Sequence, residues 1–267
     1  MRYTIILLLV VFTGFSSTAF AQNASTVPES HVTNCSRASL NGTYGFLHDG
    51  TDGNAVPISA AVSQITFDST AGTFIVETTS SRNGVIVTFS ATGIYTVSSN
   101  CTGTAFPTGH NPFSFVVTST GFLAVEPINL TTGVSTEGFG VKRGSTTCTN
   151  ATVEGSFGLE ATGVFVAGAP VTGPVAFIGD LKFTVNQSGE GLISGHLAGS
   201  EGGTIFDFAG EPVTGSYSVA KNCTGTATIT SKSLSEMNFS FVVVHVGKEM
   251  LAIETDADTV VSGTLRR

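Results

Sequence analysis

The chain has 267 residues, of which 41% are hydrophobic and only 11% charged, with 32 glycines, 20 phenylalanines and no tryptophan. Disordered chains are charged and poor in apolar residues, so a folded protein is expected. The formal net charge is −8 and the 11 lysines and arginines form no basic stripe, which argues against nucleic acid or an anionic lipid surface as a partner. Ser, Thr, Gly and β-branched residues dominate while Lys, Glu, Gln and Met are scarce, and this composition predicts an all-β fold.

The N-terminus reads Met1-Arg2, an apolar run from Ile5 to Phe12, and small residues ending in Ala19-Phe20-Ala21. A positive start, a short apolar stretch and an A-x-A site predict a secretory signal peptide over 1–21, and so a secreted or periplasmic protein. Residues 22–34 are polar and read as a loose arm. No later stretch is long and apolar enough to predict a membrane-spanning helix. Four tyrosines and no tryptophan offer little for the aromatic girdles of a membrane barrel.

From Cys35 onward the chain repeats itself. Cys35-Ser36-Arg37-Ala38, running on to Gly42-Thr43-Tyr44-Gly45, returns as Cys148-Thr149-Asn150-Ala151 and Gly155-Ser156-Phe157-Gly158. Tyr95-Thr96-Val97 followed by Asn100-Cys101-Thr102-Gly103-Thr104-Ala105 returns as Tyr217-Ser218-Val219 and Asn222-Cys223-Thr224-Gly225-Thr226-Ala227. Phe113-Ser114-Phe115-Val116-Val117 returns as Phe239-Ser240-Phe241-Val242-Val243, and Leu123-Ala124-Val125-Glu126 as Leu251-Ala252-Ile253-Glu254. Each copy closes on a basic pair, Lys142-Arg143 and Arg266-Arg267. The copies span 35–143 and 148–267, joined by a linker, 144–147, whose four small residues predict limited contact and some relative motion. Short β-like segments separated by Gly, Asn or Asp turns predict about seven or eight strands per copy, either a small closed antiparallel barrel or a sandwich. Closure would remove exposed edges from a weakly charged surface.

Four cysteines allow three pairings. Cys35–Cys101 with Cys148–Cys223 keeps each bridge inside one copy, and an exported protein meets an oxidising compartment. A metal site or reactive thiols would be the alternative, but there is no C-x-x-C. The five histidines stand singly, without H-x-H or H-E-x-x-H, so neither a metal nor another cofactor is expected. His245 continues the alternation of Phe239, Phe241 and Val243, which would point it inward near a strand end. Glu126 and Glu254 recur at matching positions. If Leu123 and Val125 face the core, alternation turns Glu126 outward, and Glu254 likewise; in a barrel with a wet interior both would instead face the site. The acidic clusters Asp49–Asn54 and Glu254–Asp258 read as hairpin turns rather than calcium loops. No G-x-S-x-G elbow or phosphate-cradling glycine loop is present.

The paired signatures C-x-x-A-x-x-x-G-[ST]-[YF]-G, N-C-T-G-T-A, F-S-F-V-V and L-A-[VI]-E resemble uncharacterised secreted proteins of soil bacteria such as acidobacteria. Those are similar in turn to the allene-oxide-cyclase-like, calycin-type eight-stranded barrels. The resemblance implies two tandem barrels with a possible apolar cavity, and carries over no catalytic residue. Three functions follow as expectations. The first is a binding module for a small lipophilic molecule, its contacts made by Phe113, Phe115, Phe239, Phe241, His245, Glu126 and Glu254. The second is a structural protein with filled barrels that contacts a cell-surface component. The third is a cyclase- or isomerase-like enzyme, for which no catalytic residues stand out.

Overall fold

The computed structural model describes residues 32–52, 56–129, 134–144, 147–169, 172–202, 204–207, 212–231 and 236–267. The expected signal peptide and most of the expected arm lie outside these residues, as does the middle of the linker. The chain is all-β. Its first barrel is built from β1 (Gly42–Thr51), β2 (Pro57–Asp68), β3 (Thr73–Arg82), β4 (Val85–Val97), β5 (Thr102–Pro107), β6 (Phe113–Val117), β7 (Gly121–Asn129) and β8 (Val134–Lys142). These form an antiparallel meander in sequence order that closes when β8 pairs with β1. The second comprises β9 (Gly155–Phe165), β10 (Gly173–Val185), β11 (Gly191–Glu201), β12 (Thr204–Asp207), β13 (Val213–Val219), β14 (Thr224–Thr230), β15 (Met237–Val244), β16 (Glu249–Glu254) and β17 (Thr259–Arg266). Here β17 pairs with β9 and β10 with β11, so eight strands close and β12 hangs from the edge of β11.

The repeated motifs explain how one end of each barrel is sealed. After Cys35 and Cys148 the chain makes 3-10 turns, Arg37–Leu40 and Asn150–Val153, that push Leu40 and Val153 into the barrel, where both are fully buried. Tyr95 Oη donates to the Arg37 carbonyl at 3.2 Å, and Tyr217 Oη to the Asn150 carbonyl at 3.0 Å. In the N-C-T-G turns, the Asn100 side-chain oxygen accepts from the Thr102 hydroxyl at 2.8 Å, and Asn222 accepts from Thr224 at the same distance. These turns hold Cys101 and Cys223 opposite the plugs, completing the disulfides Cys35–Cys101 and Cys148–Cys223, each with Cα atoms 4.9 Å apart.

Many glycines sit in strands rather than turns, and space is the reason. Gly93, Gly103, Gly140, Gly191 and Gly225 are each directly opposite an inward aromatic, respectively Phe74, Phe115, Phe122, Tyr217 and Phe241. In every case a Cβ on the glycine would collide with the facing ring. A narrow barrel can hold that many rings because neighbouring positions carry no side chain.

The limited contact expected of a short flexible linker is not what the fold shows. Leu47, Ala60 and Val62 on the outside of barrel 1 share one buried cluster with Val242, Leu251 and Ile253 on the outside of barrel 2. Polar contacts ring it: Gln64 Nε2 and Arg143 Nη1 donate to the Asn222 carbonyl, Ser81 to the Thr259 carbonyl, and the Asp258 N–H to the Gly84 carbonyl at 2.9 Å. Apolar outer faces on both units drive this, since burial of such surface is the dominant favourable term in packing.

Candidate functional site

With one end of each barrel plugged, the chemistry gathers at the other end. In barrel 1 that end is open. Register places Tyr44, Phe46 and His48 of β1 on the inner face, with Ala61 and Gly138 beside His48 on the flanking strands and Ser80 one strand beyond Ala61. The inner residues near the plug form an aromatic floor of Tyr44, Phe67, Phe74, Phe113, Phe115 and Phe122. Above it lies a chamber of about 580 Å³, lined by hydroxyls from Ser59, Thr78, Ser80 and Thr136, by Phe89 and Val134, and by His48, Arg82, His110 and Glu126. The Phe89 and His110 rings stack at 4.8 Å and the Phe46 and His48 rings at 5.0 Å. Burial pushes the His48 imidazole down to about 4, and the Arg82 guanidinium adds to the effect. Burial raises the Glu126 carboxyl above its usual range while Arg82 pulls it back. A neutral imidazole, a carboxyl and a guanidinium therefore share one wall with aliphatic and aromatic surface.

Barrel 2 uses the same frame differently. Its position equivalent to His48 is Ala161, and Phe177, Leu197 and Gly199 stand on the ladder where barrel 1 has Ala61, Thr78 and Ser80. Among the described residues, large apolar side chains occupy this space, and the cavity between Leu159, Phe183, Ile193, Phe239, Met250 and Ala252 is about 30 Å³. Among the described residues, Glu254 is the one carboxyl on this cavity's lining. Burial, with Asp256 nearby, pushes its pKa up to about 8.

The residues singled out from the sequence divide accordingly. Phe113 and Phe115 belong to the floor of barrel 1, and Phe239 and Phe241 line the interior of barrel 2. Glu126 and Glu254 both face inward, correcting the outward assignment. On β7 it is Leu123 and Val125 that face out, 52% and 51% exposed, while Phe122 and Ala124 are buried. His245 is also corrected: the chain leaves β15 at this residue, in a left-handed conformation (φ 47°), at the plugged end. Its side chain is 44% exposed, with Nδ1 3.0 Å from Glu249 Oε2 and no place in either interior. Of the acidic clusters, Asp256 accepts from the Asn238 backbone and side chain at 2.7 and 2.8 Å, and Asp49–Asn54 runs partly outside the described residues. Sequence reasoning missed His48, Arg82, Phe89 and His110. The signal for His48 was available, because Tyr44, Phe46 and His48 alternate along one strand. Arg82 immediately precedes the Asn83-Gly84 hairpin, which marks it as a strand end.

Fold and chambers define a class: two closed eight-stranded barrels in tandem, each plugged at one end, whose described residues enclose a large chamber in the first and a small apolar cavity in the second. No protein-family model and no curated protein matches the chain. Among solved structures, the chain is similar to a protein of unknown function from the DUF3598 family of Nostoc punctiforme. The two are 12% identical, the match covers 86% of this chain and 96% of that one, and the TM-score is 0.27.

Proposed function

We propose that the protein is an exported binding module whose ligand occupies the chamber of barrel 1. The observation that carries this reading is an interior of about 580 Å³ left open where the described residues of the second barrel enclose only about 30 Å³. Chambers of that size suit small organic ligands. The mixed lining narrows the lipophilic expectation to an amphipathic molecule, with its apolar body against Phe89 and Val134. Its anionic head would reach Arg82, whose planar guanidinium suits a carboxylate. The two disulfides support export, since such bonds persist in oxidising compartments. Among the described residues no helix is long and apolar enough to cross a membrane. Calorimetric titration with decanoate, decanol and decyltrimethylammonium tests the reading. Decanoate should bind best, and Arg82→Gln should weaken it about tenfold or more, the scale of a charge-assisted contact. Equal or absent binding of all three would overturn it.

A second reading, a surface-interaction protein, is favoured by the band of Ile94, Phe106, Val116, Leu123 and Val125 exposed on the outside of barrel 1. Replacing Leu123 and Val125 with Lys should then release the protein from the producing cell's envelope on fractionation, and unchanged attachment would sink this reading.

A further inference from the structure

Barrel 2 contains a polar group that its own fold leaves unsatisfied. Glu254 is 3% exposed, and its Oε2 is buried without a hydrogen-bond partner. The cavity it lines is otherwise almost wholly apolar and has room for about two waters. A buried polar atom with no partner is costly, and an ionised one far more so, so the carboxyl sits there as the neutral acid with a proton to donate.

The comparison with barrel 1 sharpens this. Going from barrel 1 to barrel 2, His48, Ala61 and Thr78 give way to Ala161, Phe177 and Leu197, yet the carboxyl of Glu126 reappears as Glu254. The interior has become apolar around one retained acid. Phe239 lies directly opposite Glu254 on the neighbouring strand, and with Phe165 and Phe177 it is only partly buried at this end of the barrel.

We propose that this end of barrel 2 is a second binding site, for a compact apolar molecule carrying one acceptor oxygen, such as a cyclic ketone. The acid O–H of Glu254 donates to that oxygen, and Phe239 swings toward solvent to admit the ring. The site is independent of the chamber in barrel 1.

Methionine methyl NMR of the full chain tests it, because Met237 and Met250 both lie in the core of barrel 2 and Met250 lines the cavity. Cyclohexanone and methylenecyclohexane, near-isosteres with and without the oxygen, serve as probes. Cyclohexanone should shift the Met250 methyl resonance saturably. Glu254→Leu should lower the affinity for cyclohexanone relative to methylenecyclohexane by about three- to tenfold, the worth of one hydrogen bond. Glu254→Gln, which keeps an N–H donor, should hold that ratio within about twofold, and the unliganded Met237 signal reports that each variant is folded. The proposal is overturned if cyclohexanone leaves Met250 unmoved, or if the ratio is the same in Glu254→Leu as in the parent. Ligands confined to barrel 1 touch neither methionine, so failure here is distinguishable from failure of the proposal for barrel 1.

Discussion

The ring of Phe241 lies across the Cα of Gly225, its direct partner on the adjoining strand, and Phe115 covers Gly103 in the same way in the first barrel. Two of the repeated motifs, N-C-T-G-T-A and F-S-F-V-V, thus form one packing unit, with the glycine of the first making room for the phenylalanine of the second. A methyl group at Gly225 would strike the ring, so Gly225→Ala should cost about 1–3 kcal/mol by overpacking. Urea denaturation measures it. Combining Gly225→Ala with Phe241→Leu should lose less than the sum of the two single changes, and strict additivity would mean that the two residues are not coupled.

The disulfides close loops with sequence separations of 66 and 75 residues. By chain entropy each contributes about 4 kcal/mol, so Cys148→Ser with Cys223→Ser should lower the denaturation midpoint sharply. Loss of the Cys35–Cys101 bridge should act to a similar extent. A change under about 1 kcal/mol for either pair would show that the plugs hold without their bridges.

Leu251 is fully buried in the cluster between the barrels, on the outer face of β16. Truncation to Ala should destabilise by about 2–5 kcal/mol. Leu251→Asp should uncouple the units, so that calorimetry resolves two unfolding transitions and protease gains access to 144–147. A single unchanged transition in Leu251→Asp would argue that the barrels do not depend on this contact.

The buried acids and the buried imidazole give stability opposite slopes with pH. Glu254 is raised from 4.5 to about 8 and Asp49, whose side chain bonds Ser262 on the other barrel, from 3.8 to about 6. The folded chain holds these protons more tightly, so their stabilisation is complete below the unfolded values and is lost as pH rises through the folded ones. For Glu254 the loss is on the order of 5 kcal/mol between about pH 4.5 and 8. His48 is lowered from 6.5 to about 4, so its contribution is lost as pH falls through that window. Urea midpoints should therefore fall from pH 5 to 9 in the parent and much less in Glu254→Gln. Parallel profiles for the two proteins would refute the assignment.

Period-two alternation and internal repetition can be read along the chain, because each depends only on the order of residues. They sufficed for the all-β class, the two copies, the pairing of the cysteines within each copy and the shared face of Phe113, Phe115 and Val117, while the choice of barrel over sandwich came from the resemblance and not from the residue pattern. Alternation, however, distinguishes two faces without saying which is inside. On β7 and β16 the apolar outer residues misled: Leu251 and Ile253 are buried because barrel 1 packs against them, while Leu123 and Val125, at the same places in the first copy, have no barrel on top and stay exposed. That inversion favoured the outward reading of Glu126 and Glu254, although their recurrence at matching positions had already marked both as candidate contacts. The packing role of the strand glycines is likewise not legible along the chain, since the ring each one accommodates belongs to another strand. Where the described residues leave a large chamber and where a small cavity was decided only in three dimensions. The volume of an interior is set by side chains on eight strands at once, and Ala61 against Phe177 or Thr78 against Leu197 matters only where closure brings them to face the same space.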